Sequence, residues 1–120
     1  MLLEFLPCFE APDFRSGRWI TPPGTVGYYE YSRAAASFID AVYASGLVEP
    51  FDWPAWTERA HQLMSQPEAL ARARLATIRR LITFHVRKER FCEGHIANVL
   101  ETGHMVAVLR RARELTAGHR

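Results

Sequence analysis

At 120 residues, with 48% apolar, 12% aromatic and 23% charged side chains, the chain has the size and composition of one soluble globular domain spanning 1–120. Its apolar runs are too short for a membrane span, and "MLLEFL", broken by Glu4 and Pro7 with no basic stretch before it, does not read as a signal peptide. Cys8 and Cys92 are far apart and form neither a disulfide framework nor a C-x-x-C pair, so two reduced thiols in a cytoplasmic protein are expected.

In chain order, "LLEFLPCFE" at 2–10 predicts a short helix or turn with Leu2, Leu3, Leu6 and Phe9 facing inward. From Gly17 to Tyr31 the β-formers "RWI" and "VGYYEY" flank a Pro-Pro-Gly turn, which predicts a hairpin or extended arm. Ser32 then stands as an N-cap before Ala35, Phe38, Ile39, Val42 and Tyr43 at helical spacing, and Gly46 suits the helix's left-handed end. "FDWPAW" opens another helix, with Asp52 as cap, Pro54 in the first turn, and Trp53, Trp56, Ala60, Leu63 and Met64 as its inner face. Ser65-Gln66-Pro67-Glu68 matches a capping box and predicts one long helix over roughly 67–90. Two more helices, about 93–102 and 104–116, are separated at Gly103. The expected fold is mainly α: a single compact domain of five or six helices with a short extended or β-hairpin segment near residues 17–31.

Charge divides the chain. Residues 1–67 carry four Arg against eight acids, and residues 68–120 carry eleven Lys/Arg against five Glu, within a formal net charge of +2. Projected on the predicted long helix, Arg72, Arg79, Arg80, Arg87 and Arg90 fall on one face with no acid among them. Such a row repels itself and calls for an anion: either the acidic first half or phosphate. The opposite stripe, Ala71, Leu75, Ile78 and Ile82, continues through His85 and Glu89, which places two ionisable groups inward.

Specific chemistries are harder to support. A helix-turn-helix with Gly103 at the turn would put Val99 where a small residue is needed and Asn98, Thr102 and His104 where apolar ones belong. Its second helix would open with "MVAV", which offers no donors to base edges. Nucleic-acid binding, if present, is therefore phosphate-led. His85, Cys92, Glu93, His95 and His104 are five candidate metal ligands within twenty residues, yet C-x-x-H lacks a second matching pair, His61 and His119 are remote, and no metal is expected. Cys92 near a helix start, beside Arg90 and His95, has the setting of a reactive thiol, and an enzyme would be built on Cys92, Glu93 and His95. No G-x-S-x-G, phosphate-binding loop, G-x-G-x-x-G after a strand or H-E-x-x-H accompanies it, so neither enzyme nor cofactor is expected. The aromatics of the first half, Trp19, Tyr28, Tyr29, Tyr31, Phe51, Trp53 and Trp56, lie among acids and favour a core or protein-contact role over a nucleic-acid face.

"FLPCF", "YYEYS", "FDWPAW" and above all "LITFHVRKERFCEGH…ETG…VLRRA" resemble a family of small uncharacterised bacterial helical proteins, a domain of unknown function with an R-x-E-R-F-x-x-G block. The chain departs from that pattern at His85, where an aliphatic residue would be expected. The resemblance implies a cytoplasmic helical domain and carries over no catalytic residues.

The block itself reads as a structural knot. An inward Glu89 needs a partner, and the expected one is an arginine, Arg90 or Arg110/Arg111. Phe91 is expected to plug the core at the bend, and Gly94 to let the next helix approach closely. The function expected is a non-enzymatic interaction or regulatory module with a protein partner or self-association. The alternative is a phosphate-led nucleic-acid binder using Arg72, Arg79, Arg80, Arg87 and Arg90.

Overall fold

The computed structural model describes residues 2–117, so His119 lies outside the described residues. Leu2–Phe5 forms a 3₁₀ turn that runs into helix α1 (Leu6–Glu10). Leu6 and Phe9 are buried, and Phe9 and Phe5 meet Phe38 edge-on at 5.2 and 5.3 Å. Strands β1 (Gly17–Ile20) and β2 (Tyr28–Tyr31) pair antiparallel, with Gly17 opposite Tyr31 and Ile20 opposite Tyr28. The turn between them is held by the Thr25 amide donating to the Pro22 carbonyl at 3.2 Å.

Helix α2 (Arg33–Ala44) starts as its sequence predicts. The Ser32 hydroxyl accepts from the Ala35 amide at 3.2 Å, and Ala35, Phe38 and Val42 are buried. Gly46, at φ +76°, takes the left-handed conformation just past its end. A 3₁₀ turn at Pro54–Trp56, with Asp52 accepting from the Ala55 amide, leads into α3 (Thr57–Ser65). Then follow α4 (Pro67–Ala71), α5 (Leu75–Glu89), α6 (His95–Glu101) and α7 (His104–Ala117).

The architecture is mainly α in one domain with a single hairpin over 17–31, as expected. The predicted long helix, however, is two. Ser65 is not a cap: it is the last residue of α3, and its hydroxyl donates to the His61 carbonyl at 2.8 Å. Between α4 and α5 the chain leaves the helix at residues 72–74, where Ala73 is buried and its carbonyl accepts from Arg111 Nε of α7 at 2.9 Å. A guanidinium from the far end of the chain thus satisfies an oxygen that continued helix would have paired. With this break and the short α1, the described residues hold seven α-helices rather than five or six.

Helix α5 is the centre of the molecule. Every residue from Leu81 to Val86 is buried, so its middle is enclosed on all sides and only its ends reach solvent. The α1 and α7 helices close the core over it, tied at their edge by Arg110 Nε donating to Glu10 at 2.8 Å.

Because Ser32 caps a helix and Ser65 does not, Ser32→Ala should lower stability by about 1 kcal/mol. Ser65→Ala should change it by less than roughly 0.5 kcal/mol. Urea denaturation of the two variants side by side checks the assignment.

Candidate functional site

The nine residues 87–95 form the end of α5, a bend, and the entry to α6. Glu89 is the pivot of this bend, and its partners are not arginines. Its Oε1 accepts from the Tyr31 hydroxyl at 2.6 Å and from the Ile96 amide at 2.7 Å, and its Oε2 accepts from the Gly94 amide at 3.0 Å. The Tyr31 oxygen in turn accepts from the Ala97 amide at 3.2 Å. One carboxylate therefore satisfies the open amides at the start of α6 while fastening β2 to it. Burial, and next the bond to Glu89, push the Tyr31 phenol well above its ordinary pKa, so it stays a donor.

The arginines expected at Glu89 are engaged elsewhere. Arg90 is exposed, Arg110 pairs with Glu10, and Arg111 holds the Ala73 carbonyl and Glu114. The physical reason is that three neutral donors, the Tyr31 hydroxyl of β2 and the Gly94 and Ile96 amides at the start of α6, already satisfy both carboxylate oxygens. Phe91 does not plug the core either: it is 76% exposed, lying tilted over Trp53 with ring centres 5.7 Å apart. Gly94 does allow a close approach, but to the hairpin. At φ +91° it takes a left-handed turn, and a Cβ there would stand 2.9 Å from the Trp19 ring.

Two further carboxylates continue the attachment of the hairpin. Glu93 accepts from the Tyr29 amide at 2.7 Å, and Glu101 accepts from the amide of buried Ser16 at 2.8 Å. Hydrogen bonding from Ser16 lowers the Glu101 pKa. The Ser16 and Tyr29 hydroxyls bond at 2.6 Å, completing the seam between hairpin and α6.

Behind this seam, three of the candidate metal ligands come together. His85 is fully buried, with Nδ1 2.9 Å from His95 Nε2 and Nε2 3.0 Å from His104 Nε2. These contacts use opposite sides of one ring, so the three imidazoles form a line and do not converge on a point as metal ligands would. Cys92 is exposed and Glu93 is turned to Tyr29; among the described residues no group of three or more His, Cys, Asp or Glu is placed to hold a metal ion. A neutral imidazole has one donor and one acceptor nitrogen, so the line runs in one sense, His95 to His85 to His104 or the reverse. Burial lowers the pKa of His85 well below its ordinary value and those of His95 and His104 to about 4, with neighbouring imidazoles and Lys88 adding to the effect on His85 and His95. Among the described residues no side-chain hydrogen bond joins His95 to Cys92.

The arginine row is also rearranged. Arg72 lies in the break before α5, and the middle of the helix face, at Thr83 and Val86, is buried. Arg79 and Arg80 therefore lie at one end of α5 and Arg87 and Arg90 at the other. What sequence reasoning missed is the company they keep. Residues 49–53 lie along this helix: Arg80 sits over the Phe51 ring at 5.5 Å and 3.8 Å from Glu49, while Arg87 sits over Tyr43 at 5.9 Å. Arg87, Arg90, Phe91, Phe51 and Trp53 line a surface cavity of about 500 Å³. First-half aromatics and second-half arginines share one surface.

The described residues thus define a small helical domain with a carboxylate-fastened hairpin, a buried histidine line and an arginine–aromatic surface. The chain belongs to the "Family of unknown function (DUF6508)", whose model matches residues 1–118. No curated protein and no solved structure matches it. No helix of the described residues is long and apolar enough to cross a membrane.

Glu89→Gln removes the charge and one acceptor oxygen, so a thermal melt followed by circular dichroism should show a drop of roughly 5 °C or more. The histidines predict a second effect. Their folded pKa values are depressed, so below their ordinary 6.5 the unfolded chain takes up protons first. Stability should be full above about pH 6.5 and fall as pH drops towards 4, and melts at stepped pH should show it. Replacing the buried bridge, His85→Phe, should flatten that fall.

Proposed function

We propose that the protein is a non-enzymatic interaction module in the bacterial cytoplasm, and that it engages an acidic protein partner through the surface formed by Arg80, Arg87, Arg90, Phe51, Trp53 and Phe91. The observation that carries this reading is the exposure of Phe91. A phenylalanine left 76% in solvent, backed by Trp53 and placed in a cavity wall with two guanidiniums, has the composition of an interface anchor. Of the acids near it, Glu49 lies against Arg80, while Arg87 and Arg90 have no carboxylate within 4 Å among the described residues. A partner bringing carboxylates around one apolar group would satisfy both features.

Nucleic acid is the second reading, favoured by the same rings. An exposed aromatic between arginines is the arrangement on which single-stranded bases stack. The original five-arginine face supports it less well, because Arg72 stands apart and the row is interrupted. An enzyme built on Cys92 and His95 has less support, since no side-chain hydrogen bond joins the two among the described residues.

The test uses Phe91→Ala with Arg90→Ala, both at exposed positions, so the melting temperature should stay within about 2 °C of the parent. Affinity capture with the two proteins should recover a partner on the parent that the double variant loses. In parallel, labelled single-stranded and duplex nucleic acid is titrated at about 50 and 200 mM salt. Tight binding that collapses with salt and is lost on Arg79→Ala with Arg87→Ala would move the assignment to nucleic acid. No binding at the lower salt removes that reading, and equal capture by both proteins overturns the protein-partner one.

A further inference from the structure

A second cavity is walled by α3, α4 and α7. Its volume is about 370 Å³, and its apolar lining includes Leu63, Met64, Leu70 and Ala107. A surface cavity of this size, with an apolar wall and polar groups beside it, is dimensioned for a small organic ligand. His104, its Nε2 already taken by His85, forms part of the inner wall.

The polar groups at the mouth say what the ligand carries. Arg111 is held in place before any ligand arrives, its Nε donating to the buried Ala73 carbonyl at 2.9 Å. Its Nη1 donates to Glu114 at 3.2 Å, and its Nη2 has no hydrogen-bond partner among the described residues. Its side chain is only 22% exposed, whereas Glu114 is 66% exposed. A fixed, largely covered guanidinium at the edge of an apolar cavity is a carboxylate receptor. Glu114 occupies it loosely from the solvent side, one turn along the same helix, and is displaced at little cost because its carboxylate regains water.

We propose that this cavity binds a small amphipathic carboxylic acid, with the carboxylate on Arg111 and the hydrocarbon on Leu63, Met64 and Leu70. Arg110 and Thr102 also line the cavity, but Arg110 is paired with Glu10 and the Thr102 hydroxyl bonds to the Val99 carbonyl. That leaves Arg111 as the open donor: fewer donors than a phosphate would demand, and one that a wholly apolar ligand would leave unused. The site is separate from the arginine–aromatic surface and does not depend on how that surface is used.

The experiment is calorimetric titration of the full chain at pH 7.5 with octanoate, with octanamide as the uncharged match. Octanoate should bind, and octanamide should bind at least about tenfold more weakly. Arg111→Gln should abolish binding, but it also strips the Ala73 carbonyl and risks the fold, so the deciding variants keep Arg111. Glu114→Gln, at an exposed position, removes the internal competitor and should tighten octanoate about threefold. Ala107→Phe fills the cavity and should weaken it by about tenfold or more. Phe91→Ala, on the other surface, should leave it unchanged. Equal affinity for octanamide, a Glu114→Gln variant no tighter than the parent, or no binding at millimolar octanoate would each overturn the proposal.

Discussion

The Glu89 carboxylate is the constraint on which the arrangement of this molecule depends. It ends the central helix, receives two amides from the start of α6 and takes the Tyr31 hydroxyl of the hairpin. A two-stranded hairpin has too little buried area to hold itself together in water. Here it is held from outside, by Glu89, Glu93 and Glu101 accepting from Tyr31, Tyr29 and Ser16. All three glutamates come from the basic half of the chain, and all three are used as acceptors for neutral donors. The Glu89 seam also settles the direction in which α6 leaves the bend, and with it the placing of His95 against His85.

Arginine does a different job from the one that charge counting suggests. The acidic and basic halves are joined by few ion pairs, of which Arg80–Glu49 and Arg110–Glu10 are exposed and individually worth little. More of the structural work falls to arginine as a donor to backbone and a plate over aromatic rings, in Arg111 with Ala73 and in Arg80 and Arg87 with Phe51 and Tyr43. That leaves Arg87 and Arg90 beside an exposed ring as the surface most suited to an incoming partner.

Much of the fold was legible because it is written in local chemistry. Ser32, Gly46 and the Pro-Pro-Gly turn each act within a few residues of themselves, and each does what its spacing suggests. Asp52, by contrast, holds only the 3₁₀ turn at Pro54–Trp56, and α3 begins later, at Thr57, without a side-chain cap. The break at residues 72–74 was not legible, because nothing in "ALARARL" opposes a helix, and the donor that satisfies its freed carbonyl, Arg111, lies nearly forty positions on. Ser65 misled for the converse reason, since a capping-box pattern carries no record of whether the preceding helix has already claimed its hydroxyl. At the site, the inward stripe did point to His85 and Glu89. Their partners, His95, His104 and Tyr31, were out of reach, because pairing across elements depends on the bend at Gly94. Phe91 failed as a core residue because Trp53 already covers that part of α5, leaving the ring to lie on the outside.

The meeting of the two ends has a consequence for how the chain folds. The 3₁₀ turn and α1 pack against α7, and Arg110 reaches Glu10 across a hundred positions. The same helix supplies Arg111, which holds the Ala73 carbonyl in the break before α5. Phe5 and Phe9 pack on Phe38 of α2, yet part of their cover comes from α7 and is missing until that helix docks. Contacts of such long sequence separation should make the described residues close cooperatively, with α1 and α7 docking together.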